Sequence, residues 1–122
     1  MEYTKSLYQK YSLNPINFGR MNDPSGAAWI KGLCGDTMEM YLMIKNRQIE
    51  DICFHTDGCG ATYACGSYVT EKVKEKNIED ALGISPKEII DALEDLPKDH
   101  HHCAILAAST LHKAIADYLL KD

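Results

Sequence analysis

Cys59 stands between two glycines, in the stretch Phe54-His55-Thr56-Asp57-Gly58-Cys59-Gly60-Ala61. An apolar, β-branched and aromatic run precedes it and an alanine-rich amphipathic run follows, so the pattern predicts a strand turning into a helix. Glycine on either side allows positive φ and close backbone approach. A thiol at a helix start meets free N–H groups and the positive end of the dipole, which favour thiolate. Thiolate is the form that binds a metal or attacks sulfur. Cys103 directly follows His102 and opens the predicted last helix, so the same expectation applies to it. Cys34 lies in a predicted turn, with Asp36 two residues on. Taken singly, each of these has a plainer reading as a small buried side chain or a turn residue. Two cysteines at helix starts and one in a turn, accompanied by a carboxylate and an imidazole, form a pattern less easily left to chance. Cys53 is different, being mid-strand and out of phase with Ile52 and Phe54, and is expected to pack. Cys65 is six residues past Cys59, which puts it roughly 240° around the helix, so it joins the apolar stripe. His55, His100, His101 and His112 are expected on solvated or partly buried surface; His102 stands out only because it adjoins Cys103.

The whole chain must supply what brings these residues together. Its 122 residues suit one domain, 1–122, with a single hydrophobic core. Its net charge of −5 argues against a nucleic-acid partner. No run approaches the ~18 apolar residues of a membrane span, and no apolar signal segment opens the chain, so a reducing, cytoplasmic setting is expected. Five cysteines there are not a disulfide framework. No Cys-x-x-Cys pair occurs, so a zinc finger, a thioredoxin-type pair and a ferredoxin loop lack their local spacing. Any shared metal must be assembled from distant segments.

The elements come in an order that allows this. A helix is predicted over 4–12, capped by Thr4 and ended by Asn14-Pro15. Asn17 to Gly26, rich in Gly, Pro, Asn and Asp, is expected to be a solvated loop. A short strand over 27–31 is followed by an alternating strand over 37–45, with Met38, Met40, Leu42 and Ile44 on one face. Asn46-Arg47 is a two-residue hairpin signal leading to a third strand over 48–56. Links this short require an antiparallel meander. The helix from Ala61 to about Lys74 carries an apolar stripe of Ala61, Cys65, Tyr68, Val69 and Val73. A helical turn over 78–82 comes next. Ser85-Pro86-Lys87-Glu88 then opens a helix to about Glu94 with a capping box. The last helix spans about His102 to Leu120, burying Leu111, Ile115, Tyr118 and Leu119. The fold class is therefore α+β: a three-stranded antiparallel meander with an N-terminal helix and C-terminal helices packed on the sheet.

With these motifs in hand, the chain resembles the NifU/IscU-type iron–sulfur cluster assembly scaffolds over nearly its whole length. The resemblance rests on Asn14-Pro15-Ile16-Asn17-Phe18-Gly19, on Cys34-Gly35-Asp36-x-Met38, on Phe54-x-Thr56-x-Gly58-Cys59-Gly60-Ala61, and on Leu96-Pro97 followed by His102-Cys103-Ala104-x-Leu106-Ala107. The three cysteines are 25 and 44 residues apart, which leaves no obvious room for the insertion of the related zinc-containing SufU branch. The resemblance implies that Cys34, Cys59 and Cys103 ligate a [2Fe–2S] or [4Fe–4S] cluster, with Asp36 and His102 completing or modulating the site. It implies iron and sulfur as cargo, a cysteine desulfurase as sulfur donor, Cys103 as persulfide acceptor, and apo iron–sulfur proteins as recipients. It also implies zinc at the same residues when no cluster is present, and a role that is not enzymatic. Three thiolates plus a nitrogen or an oxygen hold iron less firmly than four thiolates, which suits release. The same set is a tetrahedral zinc set, so a zinc-bound sulfur acceptor that stimulates a desulfurase without carrying iron is the alternative. The sequence departs from the family at Ile16, where arginine is usual, and at Cys65, where serine is common. Leu96-Pro97-Lys98-Asp99-His100 stands where many members have Leu-Pro-Pro-Val-Lys, so delivery by a specialised Hsp70 chaperone is not expected.

Overall fold

The computed structural model describes residues 5–121. Strands β1 (Gly26–Lys31), β2 (Thr37–Lys45) and β3 (Gln48–Thr56) form one antiparallel sheet in the order β1-β2-β3. This is the meander that the short links require. Met38, Met40 and Leu42 of β2 are fully buried with Ile52 and Phe54 of β3, while Glu39, Tyr41 and Met43 point to the other face. The β2–β3 turn closes between Lys45 and Gln48, with Asn46 and Arg47 at φ 53° and 62°. Two left-handed residues give the turn twist that suits a tight hairpin.

Five helices follow the chain: α1 (Leu7–Leu13), α2 (Gly60–Val73), α3 (Ile78–Leu82), α4 (Pro86–Ala92) and α5 (His102–Leu120), with a 3₁₀ turn at Lys98–His100 before the last. The predicted cap of the first helix, Thr4, lies outside the described residues. The helix begins at Leu7, where Ser6 and Gln9 exchange the two hydrogen bonds of a capping box, at 3.1 and 2.9 Å. For α4, the Ser85 hydroxyl accepts from the Glu88 N–H as expected. The Glu88 carboxylate, however, takes the Tyr68 hydroxyl at 3.0 Å and so ties α4 to α2.

Helix α5 is laid directly on β1. A Cβ at Gly26 would lie 2.5 Å from the Ala114 carbonyl oxygen, and one at Gly32 would lie 3.2 Å from the Leu106 side chain. The Asp117 carboxylate accepts the Ala27 N–H at 3.0 Å, which holds that carboxyl below its ordinary value. The helix therefore runs antiparallel to β1, with its first turn beside the β1–β2 turn and its last beyond Gly26. That overhang corrects one expectation: Leu119 is 46% exposed rather than buried. The Lys98–Leu120 stretch is long and apolar enough to cross a membrane, but half of its most apolar window is buried inside the protein, against the sheet, α2, α3 and α4. It is a core helix.

Helix α2 covers β3 through an equally close contact. A Cβ at Gly66 would lie 2.4 Å from two ring carbons of the fully buried Phe54. Gly66→Ala gains about 1 kcal/mol of helix propensity, but the overpacking costs about 1–3 kcal/mol or more. The ring has no free volume to enter, so a net loss is expected, read as a lower urea midpoint with an unchanged slope.

The segment after α1 also differs from the expected solvated loop. The Gly19 N–H donates to the Phe54 carbonyl at 2.8 Å, and the Phe54 N–H donates to the Asn17 carbonyl at 2.9 Å. The Ser67 hydroxyl accepts the Ile16 N–H, and Asn17 Nδ2 donates to Thr70 Oγ1. Asn17 has a left-handed φ of 56° and Gly19 a φ of 152°. These bonds stitch the Asn14–Gly19 motif to the free edge of β3 and to α2. Arg20 then reaches the outer face of the sheet, donating to both oxygens of Glu39 at 2.9 and 3.0 Å.

Candidate metal centre

Three chain segments meet at one end of the sheet because of its register. Met38 pairs with Thr56, so the turn entering β2 lies beside the junction leaving β3. The Thr37 N–H donates to Asp57 Oδ1 at 2.8 Å, which holds the Asp57 carboxyl below its ordinary value. The Thr56 hydroxyl donates to the Thr37 carbonyl and accepts the Gly58 N–H. Helix α5 brings its first turn to the same end by packing Leu106 on Gly32.

Within this frame the Asp36 carboxylate accepts the Thr62 hydroxyl at 3.1 Å, and Thr62 Oγ1 lies 3.7 Å from Cys103 Sγ. Asp36 on the first loop and Cys103 on α5 are thus joined through a fully buried threonine one turn into α2. A Cβ at Gly58 would lie 2.7 Å from the Asp36 Oδ2 atom and 2.5 Å from the Thr62 hydroxyl. Close approach is therefore what requires glycine there. Positive φ is found at Gly35, at 95°, between Cys34 and Asp36. Cys59 is the N-cap of α2 and is exposed, as is Cys34; Cys103 is fully buried.

Burial decides the state of Cys103. Its thiol is pushed up to about 11, first by loss of water, with the Thr62 hydrogen bond opposing and the charges of Cys34, Cys59 and Asp36 adding. This runs against the expectation of a thiolate favoured by the helix start, because burial penalises the charged form. A metal reverses the balance, because a coordinating thiol is deprotonated outright.

The Cys103 sulfur and one ring nitrogen from each of His102 and His100 all lie within 4.8 Å of one another. The His100 and His102 rings are 5.9 Å apart. His102 Nε2 is buried and has no hydrogen-bond partner among the described residues. A buried polar atom left unpaired calls for an explanation, and an ion bound by soft sulfur and imidazole donors provides one.

Of the five residues singled out from the sequence, the structure joins Asp36 and His102 to Cys103, while Cys34 and Cys59 stand exposed on the flanking turns, outside the 4.8 Å group. Cys65 is fully buried, its thiol raised by desolvation and then by Cys103 and Cys59, and Cys53 is half-buried, pushed up to about 11 by burial and Asp51. Three residues of the site were not singled out. Thr62 follows Cys59 by three positions, the helical spacing that shares a face. Tyr8 on α1 lies near enough that Cys59, Cys65 and Cys103 add to burial in raising its hydroxyl. His100, expected on solvated or partly buried surface, is half-buried and stands beside His102.

The geometry defines a class: an α+β domain with cysteine, histidine and aspartate gathered at one end of a meander. Residues 2–122 match the family model described as the NifU-like N terminal domain. An iron-sulfur cluster assembly scaffold protein IscU 1 of Archaeoglobus fulgidus is 40% identical over 121 residues, covering 98% of this chain and 78% of that one. The scaffold protein IscU of Escherichia coli is 38% identical over 126 residues, covering 99% and 97%. The crystal structure of a nitrogen-fixing NifU-like protein (N-terminal) from Brucella abortus shares the fold, with TM-score 0.76 at 18% identity over 97% of this chain and 95% of that one. The chain belongs to the NifU-like N-terminal domain family.

Proposed function

We propose that this chain is a scaffold on which iron–sulfur clusters are assembled and from which they pass to apo-proteins. The observation that carries the reading is the hydrogen-bonded line Asp36–Thr62–Cys103 beside an unpartnered His102 nitrogen, flanked by the exposed Cys34 and Cys59. The relatives named as scaffold proteins, similar over almost the full chain, support it.

In this reading Cys34, Cys59 and Cys103 supply thiolates, and His102 or Asp36 supplies the fourth donor to a [2Fe–2S] or [4Fe–4S] cargo. The two loop cysteines face solvent, which lets iron enter and a recipient reach the cluster. Sulfur arrives from a cysteine desulfurase persulfide. Cys103, as thiolate, attacks the outer sulfur, a new S–S bond forms on Cys103, and the donor cysteine leaves as thiolate. Release of the cargo follows from a ligand set with fewer than four thiolates. The protein makes no substrate-to-product conversion of its own and acts in the cytoplasm.

Anaerobic reconstitution with ferrous iron and sulfide tests the proposal. The expected result is a brown visible chromophore that disappears from the protein as apo-ferredoxin gains its own. A protein that keeps zinc, takes up no iron and only raises desulfurase turnover would be a sulfur acceptor instead.

A further inference from the structure

We propose that His100, His102 and Cys103, gathered on one segment of chain, form a site for a single divalent transition-metal ion, which captures the ion before Cys34 and Cys59 engage it. This rests on the metal-handling role proposed above and adds to it a residue, His100, which the resemblance does not place among the ligands.

The three donors belong to one continuous, internally bonded piece of chain. His100 ends the 3₁₀ turn, its N–H donating to the Pro97 carbonyl at 2.9 Å; the His101 N–H donates to the Lys98 carbonyl at 3.2 Å, and the Ala104 N–H donates to the His101 carbonyl at 3.0 Å. Leu96 before the turn and Ala104 after it are buried in the core. The donor atoms therefore share one support, whereas Cys34 and Cys59 lie on separate exposed turns.

The distances are those of a site short of closure. Donors bonded to zinc at about 2.0–2.3 Å stand roughly 3.4–3.7 Å apart at tetrahedral angles. The donors here lie within 4.8 Å, so modest side-chain rotations bring them to bonding distance. The His100 ring is half-buried beside that of His102, and His102 Nε2 is a buried nitrogen with no partner among the described residues. One thiolate and two imidazoles suit zinc or ferrous iron and leave a coordination position open. Binding releases the Cys103 thiol proton to solvent, so uptake strengthens as pH rises. If the two loop cysteines joined the ion, a four-coordinate set would have room for one of the two imidazoles, and His100, on the turn ahead of the helix, would be the one given up.

The test uses a Cys34→Ala/Cys59→Ala protein, which lacks two of the three proposed cluster thiolates. Titrated with cobalt(II) and then zinc, it is expected to bind one ion, with one thiolate-to-cobalt charge-transfer band and tetrahedral d–d bands. His100→Lys in that background is expected to weaken zinc at least about tenfold, by analogy with lost metal-site partners. Nitrogen-15 shifts of the His100 and His102 rings in the Cys34→Ala/Cys59→Ala protein should both move on adding zinc. Unchanged zinc affinity after His100→Lys, ring shifts confined to His102, or no binding by the folded double variant would each overturn the proposal. A cluster that forms on the wild-type protein despite such a result would leave the scaffold reading intact.

Discussion

A Cys34→Ala/Cys59→Ala/Cys103→Ala variant is expected to hold no iron–sulfur chromophore after anaerobic reconstitution, while folding as the parent protein does. Cys34 and Cys59 are exposed, so their truncation removes no packing. Cys103 is fully buried at the start of α5, and losing its sulfur costs about 1 kcal/mol, the scale of one buried heavy atom. Thermal unfolding should therefore shift by only a few degrees. Metal content per folded protein, by contrast, should fall from stoichiometric to background for the cluster. Single substitutions are expected to differ: Cys103→Ala should also abolish persulfide uptake from a desulfurase, whereas Cys34→Ala should leave it. Equal iron and sulfide in the triple variant and the parent would show that these cysteines do not hold the cluster.

Asp36→Ala should act in the opposite direction and lengthen the lifetime of a reconstituted cluster. The Asp36 carboxylate is tied to the Thr62 hydroxyl 3.7 Å from Cys103 Sγ. It offers a hard oxygen donor to iron that prefers thiolate here, and its negative charge adds to that of the cluster thiolates. Removing it leaves three sulfurs and the His102 nitrogen as donors and frees Thr62 to hydrogen-bond Cys103 alone. The decay of visible absorbance under a fixed chelator concentration reads the effect. An unchanged decay rate and spectrum would show that Asp36 serves only to hold Thr62.

The strands were legible because their chemistry is local. Alternation from Met38 to Leu42 and the Asn46-Arg47 turn fixed β2, β3 and their pairing, and that register alone carries Asp36 to Gly58. Helix α5 was legible for the same reason, since an uninterrupted apolar periodicity runs along it. What stayed hidden depends on contacts across the chain. Asn17 and Gly19 form hydrogen bonds with Phe54 through their backbones, and backbone pairing leaves little trace in side-chain pattern. Leu119 follows the helical stripe, yet the sheet ends before reaching it. The ionisation of Cys103 turned on burial, which a helix-start argument does not include. Thr62 and Tyr8 show no metal-binding chemistry of their own. His100 was hidden by the 3₁₀ turn, which folds it back toward His102 at two positions' separation.

The most direct measurement is X-ray absorption at the zinc edge of the zinc-loaded wild-type protein. Convergence of the three distant cysteines predicts three sulfur scatterers at about 2.3 Å and one nitrogen or oxygen at about 2.0–2.1 Å. A first shell with a single sulfur would mean that Cys34 and Cys59 never reach an ion held by Cys103, and one with no sulfur would mean that none of the three cysteines binds it.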